Sequence, residues 1–195
     1  CYEHASRGEN IDVLFDNIRE RYNTIIADLG IDLSLEDDFS AIKYAFSHKS
    51  GRDFAASRGE YLNGKILAKY LGFDFIDAAN VIFFKLDGSF DSERTNDVLS
   101  ETLKNHTHAV IPGFYGSDSR DYVHTFSRGG SDISGAIVAR AMKADIYENW
   151  TDVDGFLTAD PRIVENPTTI SCLSYKELRE LSYMGAEVMH PESIF

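Results

Sequence analysis

The chain is poor in cysteine, in basic residues and in long apolar runs. Cys1 and Cys172 are its only cysteines, and two thiols so far apart do not indicate a disulfide framework, which favours a reducing compartment. No apolar run approaches the ~20 residues that cross a membrane, and no signal peptide is visible. The net charge of −13 argues against a nucleic-acid backbone as a partner. We therefore expect a cytoplasmic protein that binds neither membrane nor nucleic acid.

The composition is that of an ordinary globular protein. Hydrophobic residues make up 43% and charged residues 26% of 195 residues, which suffices for one domain with a sizeable core. No repeat, low-complexity tract or linker divides the sequence. The chain starts at Cys1 rather than at a methionine and stops shortly after His190-Pro191, so we interpret it as a piece of a longer protein.

Helical and strand patterns alternate along the chain. Apolar spacing predicts helices over 11–29, 53–71, 92–105, 131–143 and 173–184, and a short helical stretch at 42–46. Short apolar runs predict strands at 73–76, 81–84, 109–114, 122–126 and 145–150. Gly72 should end the second helix, and Asp91 or Ser92 and Ser174 should cap later ones. The alternation predicts an α/β fold with a mostly parallel sheet, in which ligands collect at the carboxyl ends of the strands.

A glycine turn between a predicted strand and a predicted helix is the most informative motif. Phe126–Asp132 (FSRGGSD) would direct free backbone N–H groups and the positive end of a helix dipole at one point, which suits an anion. Arg128 would add a planar donor for a carboxylate or phosphate. The alternative is an ordinary tight turn with a solvated Arg128 and with Ser131 as the helix cap.

A second motif lies within a predicted helix. The segment Ala55–Gly64 (AASRGEYLNG) puts Glu60 on one helix face with Ala56, Asn63 and Gly64, which leave room beside the carboxylate. Two glycines in a helix cost about 1 kcal/mol each relative to alanine, and close approach of a ligand or of another helix would offset that cost. The alternative is helix packing, with Glu60 solvated or paired with Arg58.

A third motif follows the last predicted strand. Asn149–Phe156 (NWTDVDGF) and Thr158–Arg162 (TADPR) begin where a cofactor would lie in an open parallel sheet. Their threonine and aspartate side chains suit a ribose or a base, and Arg162 is a candidate phosphate contact. Asp154-Gly155 and Asp160-Pro161 are also common turn signals, so an ordinary loop is the alternative.

Several familiar signatures are missing from the sequence. It contains no Gly-x-x-x-x-Gly-Lys-Ser/Thr loop, no Gly-x-Gly-x-x-Gly fingerprint and no Gly-x-Ser-x-Gly elbow. Its six histidines show no zinc spacing with cysteine or with one another. We therefore assign no residue as a metal ligand.

Taken together, the three motifs resemble those of aspartate kinases, members of the amino-acid kinase family. Four segments occur in the family's order: Arg-Gly-Glu, Phe-Ser-Arg-Gly-Gly-Ser-Asp, Trp-Thr-Asp-Val-x-Gly and Ala-Asp-Pro-Arg. Residues 185–191 (GAEVMHP) extend the match. The resemblance covers most of the chain and is strongest from Ala109 onward. It implies a three-layer αβα sandwich that lacks its first strand here. It also implies ATP-dependent phosphorylation of the β-carboxylate of L-aspartate, the entry step toward lysine, threonine and methionine.

The resemblance also implies roles for individual residues. Glu60 would hold the substrate amino group, and Arg128 would bind a substrate carboxylate with Ser131 nearby. Asp132 would be catalytic, helping to organise the metal-bound phosphates or their lysine partner. Mg²⁺ bridging phosphate oxygens is expected with ATP. The nucleotide contacts would come from the second half of the chain: Thr151, Asp152, Leu157, Arg162 and Val188. Leu157 falls where relatives can carry a tyrosine, so its contact can only be apolar.

The sequence departs from the family pattern in three ways. Relatives open with a Lys-Phe-Gly-Gly-Ser/Thr-Ser strand and loop whose lysine stabilises the transferred phosphoryl group, and they carry carboxy-terminal ACT modules; neither occurs in these 195 residues. Glu187 stands where a lysine often contacts the nucleotide, and an acidic residue cannot replace that contact. We therefore expect residues 1–195 to be a partial catalytic domain that turns over poorly or not at all.

Two alternatives to an aspartate kinase stay open. The protein could be another amino-acid kinase, acting on glutamate, acetylglutamate, carbamate or a nucleotide, although the Arg-Gly-Glu helix favours aspartate. It could also be a module that binds an amino acid or a nucleotide without catalysis, which the missing lysine loop favours. The full-length protein is expected to be a homo-oligomer.

Overall fold

The structure is a computed structural model that describes residues 1–48, 50–127, 129–150, 155–160 and 162–183. It divides the chain into two compact units, Cys1–Thr125 and Phe126–Phe195. No helix in the described ranges is both long enough and apolar enough to cross a membrane.

Helices dominate the first unit. They are α1 (Tyr2–Ser6), α2 (Asp12–Asp28), α3 (Glu36–Ser47), α4 (Arg52–Leu71) and α5 (Ser92–Leu103), with a short 3₁₀ turn at Ala78–Asn80. The apolar faces of α2, α3 and α4 meet in one buried cluster, formed by Ile11, Phe15, Ile26, Leu35, Phe39, Ile42, Phe46, Leu62 and Ile66. Burial of each large side chain contributes about 1.5–3 kcal/mol, so this cluster fixes which face of α4 points inward.

The strands of the first unit are short. β1 (Asp74–Phe75) pairs in parallel with β2 (Ala109–Val110), and β3 (Tyr115–Ser117) pairs antiparallel with β4 (Val123–Thr125). The predicted strand at 81–84 contributes only single bridges, among them a parallel one between Phe83 and Ser117. The α/β character predicted from the sequence is present, but the antiparallel β3–β4 hairpin was not predicted.

Gly116 shows why β3 lies where it does. A Cβ at this position would fall within 2.9 Å of the Ile82 carbonyl carbon, a distance that side chains do not tolerate. Ser117 N–H donates to the Ile82 carbonyl at 3.0 Å, so the two backbones are hydrogen-bonded as well as close. Only glycine permits this approach, which no sequence pattern reveals.

The second unit contains α6 (Gly130–Met142) and α7 (Tyr175–Tyr183). Ser174 and Glu177 form the expected cap of α7, since the Ser174 N–H and hydroxyl both lie within hydrogen-bond distance of the Glu177 carboxylate. The predicted strand at 145–150 is wrong, because this segment pairs with no described strand. Its apolar side chains are solvent-exposed, Ile146 at 75% and Trp150 at 90%, so burial does not fix it in a sheet.

Candidate functional site

Helix α4 presents Glu60 from its exposed face. The helix was predicted at 53–71 and runs over Arg52–Leu71. Gly72 ends it as predicted, and its conformation there is left-handed. Glu60 is exposed and makes no hydrogen bond or ion pair with any described residue. Its carboxylate is therefore available to a cation from solution.

Arg58 does not pair with Glu60, so the alternative in which an Arg58–Glu60 ion pair occupies the carboxylate is wrong. Residues two apart on a helix lie about 200° apart around its axis. Arg58 therefore points inward, where it is only 9% exposed and donates from Nε and Nη2 to the Ser57 hydroxyl at 3.1 and 2.9 Å. Its guanidinium carbon lies 4.5 Å from the ring centroids of both Phe54 and Tyr61. The cation anchors the inner face of α4 while Glu60 faces outward.

Further contacts fix α4 against its neighbours. Lys65 Nζ contacts both carboxylate oxygens of Asp38 on α3, at 2.6 and 2.8 Å, and the Tyr61 hydroxyl donates to the same carboxylate at 2.8 Å. A Cβ at Gly64 would lie 3.1 Å from the Phe75 ring and 3.4 Å from Pro112. Packing alone therefore explains Gly64, as the alternative reading of this motif held.

The amino end of α4 is tied to the β3–β4 hairpin. The Thr125 N–H, at the end of β4, donates to the Asp53 carboxylate in the first turn of α4 at 3.1 Å. The hairpin itself closes on Asp118, which is 1% exposed and accepts from Arg120 Nη2 at 2.6 Å and from the backbone N–H of Arg120 at 2.8 Å. These hydrogen bonds, the Arg120 side chain foremost, lower the pKa of the Asp118 carboxyl.

Tyr22 on α2 is a neighbour of Glu60 that the sequence did not single out. Its hydroxyl donates to the Gly59 carbonyl at 3.2 Å. Burial, and after it the negative charge of Glu60, raise the pKa of this hydroxyl. In the sequence Tyr22 counts only as one apolar residue of an amphipathic helix, so no local signal marks it.

In the second unit, the glycine turn opens α6 as predicted, but with a different cap. Gly129 occupies the cap position at φ 70° and ψ 21°, a left-handed conformation that favours glycine. Ser131 is therefore not the cap; it lies in the first helical turn and is exposed. The first intrahelical bond described runs from Ile133 N–H to the Gly129 carbonyl at 3.1 Å, and N–H groups before it lack helical acceptors.

Asp132 lies in this first turn, half-buried and near Tyr147. The Tyr147 hydroxyl is 3.5 Å from the Asp132 carbonyl oxygen, and burial followed by the charge of Asp132 raises the pKa of the Tyr147 hydroxyl. A Cβ at Gly135 would lie 2.9 Å from the Tyr147 ring, so this ring needs a glycine on α6. Ser131 and Asp132, which are adjacent in the sequence, both lie in the first turn of α6.

The segment after Gly155 contains two of the predicted nucleotide contacts. Leu157 is half-buried and forms an antiparallel bridge with Thr169. Arg162 is exposed at 84% and forms a fork with the Asp160 carboxylate, with Nη2–Oδ2 at 2.8 Å. The Arg162 side chain lowers the pKa of Asp160.

Four predicted site residues lie outside the described residues: Arg128, Thr151, Asp152 and Val188. Glu187, the residue that replaces a lysine, lies there too. Of the remaining assignments, Glu60 belongs to the first unit, and the others belong to the second. Within the described ranges no cluster of three or more histidine, cysteine, aspartate or glutamate residues could hold a metal ion.

The comparisons with known proteins agree with these motifs. The family model described as the amino acid kinase family matches residues 9–195. The chain therefore belongs to the amino acid kinase family.

Within this family, the chain is similar to aspartokinases. Aspartokinase 3 of Bacillus subtilis (strain 168) is 35% identical over 209 residues, covering 100% of this chain and 46% of the relative. The chain thus spans about half the length of this relative.

Solved structures support the fold. A crystal structure of aspartate kinase from Clostridium acetobutylicum matches with a TM-score of 0.93 and 54% identity, over 100% of this chain and 45% of that one. E. coli aspartokinase III in complex with aspartate and ADP matches with a TM-score of 0.69 and 23% identity, over 91% of this chain and 41% of that one. The predicted α/β fold class of the amino-acid kinases is confirmed.

Proposed function

We propose that this chain is part of the catalytic domain of an aspartate kinase, which transfers a phosphoryl group from ATP to the β-carboxylate of L-aspartate. The observation that carries the proposal is Glu60, an exposed carboxylate with no described partner on a helix whose opposite face is held by buried contacts. An amino-acid substrate brings the ammonium group that such a carboxylate binds. The aspartokinase names of the relatives support the same substrate.

Each motif residue receives one role in this proposal. Glu60 binds the substrate ammonium, and Arg128 with Ser131 binds a substrate carboxylate. Thr151 and Asp152 contact the nucleotide, and Leu157 and Val188 add apolar contacts to it. Arg162 reaches the phosphates after leaving Asp160, which costs little because an exposed ion pair contributes only about 0–1 kcal/mol.

In the proposed reaction, an oxygen of the β-carboxylate attacks the γ-phosphorus of ATP. The bond between that phosphorus and the β–γ bridging oxygen breaks, giving aspartyl phosphate and ADP. Such a transfer requires mainly positioning of the reactants and neutralisation of the spreading negative charge. The N–H groups at the beginning of α6 and the helix dipole supply part of that neutralisation.

ATP and Mg²⁺ are the proposed cofactors. Mg²⁺ keeps several waters and binds through one or two carboxylates together with phosphate oxygens, so a cage of protein ligands is not required. Asp132, in the first turn of α6, keeps its proposed role of helping to organise the metal-bound phosphates or their lysine partner. When bound, the ion would neutralise charge on the phosphate oxygens.

An acceptor comparison tests the proposal. The longest natural polypeptide that contains this chain is assayed for ATP-dependent phosphorylation of aspartate, glutamate, acetylglutamate and carbamate. We expect aspartate to be the preferred acceptor and Glu60→Gln to raise the KM for aspartate by roughly 10-fold or more, because a charged hydrogen bond is lost. Preference for another acceptor, or unchanged kinetics of Glu60→Gln, would refute the proposal.

The chain by itself gives a second test. Without the family's phosphate-binding lysine and loop, residues 1–195 should release ADP at a small fraction of the rate of the longer polypeptide, because several kcal/mol of transition-state stabilisation are absent. Near-normal turnover would contradict this. Calorimetry with aspartate and with ATP–Mg²⁺ then separates binding from catalysis. We also propose that the full protein is cytoplasmic and homo-oligomeric.

A further inference from the structure

Glu60 has one neighbour that the proposed function does not use, the Tyr22 side chain of α2. Its hydroxyl hydrogen-bonds the carbonyl of Gly59, the residue directly before Glu60, at 3.2 Å. The Tyr22 ring is held from behind by Phe39 of α3, with ring centroids 6.2 Å apart. Because the Tyr22 ring contacts Phe39 and the Tyr22 hydroxyl bonds the Gly59 carbonyl, Tyr22 restrains the peptide group between Gly59 and Glu60.

The Tyr22 hydroxyl contacts a carbonyl inside a helix. The Gly59 carbonyl lies in the middle of α4, where carbonyls already accept helical hydrogen bonds, so Tyr22 provides a second bond to the same oxygen. Gly59 leaves its side of the helix open. A Cβ placed there would lie 3.9 Å from the Tyr22 oxygen and would have no other neighbour within 4 Å outside the backbone of α4 itself. The phenol hydroxyl therefore lies at the exposed side of α4 that carries Gly59.

The charge state of Tyr22 suits this contact. Burial and the Glu60 carboxylate raise the pKa of the hydroxyl above its ordinary value of 10.0, so Tyr22 remains a neutral donor at physiological pH. It therefore donates to the Gly59 carbonyl without adding a charge next to Glu60.

We propose that Tyr22 is a positioning residue for substrate binding, which holds the Gly59–Glu60 segment of α4 in the orientation that receives the ammonium group of an amino acid. This inference rests on the proposed function, since it uses Glu60 as the ammonium partner. It adds an element to the site, because α2 then contributes to substrate selection. The role predicts an effect on amino-acid binding that does not extend to the nucleotide.

The test uses Tyr22→Phe, which keeps the ring against Phe39 and removes only the hydroxyl. In the longest natural polypeptide, we expect the KM for aspartate to rise about 5-fold, in line with the loss of one ordinary hydrogen bond. The KM for ATP should not change. Tyr70→Phe is the matched control, since Tyr70 lies on α4 and is 56% exposed; it should leave both constants unchanged.

Two further measurements separate positioning from a general structural role. Succinate, which is aspartate without its amino group, is used as a competitive inhibitor, and its inhibition constant should be the same for the wild type and Tyr22→Phe. The double variant with Glu60→Gln should be no weaker in aspartate binding than Glu60→Gln alone, because Tyr22 acts through Glu60.

The outcomes distinguish the two proposals. If Glu60→Gln weakens aspartate binding and Tyr22→Phe does not, the inference about Tyr22 is wrong and the proposed function stands. If Tyr22→Phe weakens aspartate, succinate and ATP alike, its role is structural and the inference is also wrong. If Glu60→Gln itself has no effect, the proposed function fails first.

Discussion

Helices α4 and α6 both carry candidate site residues, but they use different parts of a helix. α4 offers a side chain, Glu60, from the middle of a 20-residue helix. The direction of this side chain therefore depends on the rotation of the helix about its axis. α6 offers backbone N–H groups at its first turn, so what matters is the conformation of Gly129 just before it. The supports match this difference: buried side-chain contacts hold α4, and a left-handed glycine sets the beginning of α6.

The largest effect should follow from replacing Arg128, which directly precedes Gly129 in the sequence. Arg128→Ala should weaken aspartate binding roughly 10- to 100-fold, because a charge-assisted contact to a carboxylate is lost, and it should leave ATP binding nearly unchanged. Calorimetry with each ligand measures both. Arg140→Ala is the control, since Arg140 is exposed in the last turn of the same helix. Equal losses for aspartate and ATP would show that the role assigned to Arg128 is wrong.

Two glycines with the same backbone conformation allow the effect of backbone strain on stability to be distinguished from an effect on ligand binding. Gly129 before α6 and Gly72 after α4 have nearly the same conformation, φ 70° and ψ 21° against φ 70° and ψ 27°. Alanine at either position should destabilise the fold by about 1–2 kcal/mol, because a Cβ is strained in this region. Only Gly129→Ala should also weaken anion binding. Denaturant unfolding and calorimetry on both variants test this, and equal binding by the two would remove the special role of the α6 turn.

Within α4, two glycines should respond in opposite directions. Gly64→Ala should destabilise by roughly 1 kcal/mol, because overpacking against Phe75 and Pro112 outweighs the gain in helix propensity. Gly59→Ala should instead stabilise by up to about 1 kcal/mol, since an added Cβ meets nothing closer than the Tyr22 oxygen at 3.9 Å. Thermal unfolding of the two variants decides the matter. A stabilised Gly64→Ala would show that the packing of α4 on β1 is looser than described.

The smallest effect concerns pH and the hairpin tied to α4. The pKa of Asp118 is lowered below its ordinary value of 3.8, so its contribution to stability is complete above about pH 4 and is lost as the pH falls through the lowered pKa. Asp118→Asn should therefore unfold more easily than the wild type at neutral pH and show less additional loss in acid. Unfolding midpoints measured across the acid range test this sign. Parallel curves for the two proteins would contradict it.

Most helices could be predicted because their signals are local. The bounds of α4 and the left-handed Gly72 follow from apolar spacing and from one glycine, and Asp91 caps α5 through its own side chain. The β3–β4 hairpin could not be predicted in this way. Gly116 and Ser117 are poor strand formers, and their pairing depends on contact with Ile82, more than thirty residues away in the sequence.

The candidate site likewise contains residues with a local sequence signal and residues that only tertiary packing brings in. The Arg-Gly-Glu and Gly-Gly-Ser-Asp motifs predict Glu60 and the beginning of α6 as candidates because the residues of each motif are contiguous in the chain. Tyr22 is invisible in the sequence, since its partner Gly59 is reached only through tertiary packing. The pairing of Arg58 with Glu60 could have been excluded from the sequence, because helix geometry separates residues two positions apart.

The exposed Trp150 offers a use that needs no substitution. It is the only tryptophan of the chain, it is 90% exposed, and it directly precedes Thr151 and Asp152, which we propose contact the nucleotide. Its indole emission should therefore be red-shifted in the free protein and should respond when a nucleotide arrives beside it. A titration followed by intrinsic fluorescence would then report nucleotide occupancy without any label.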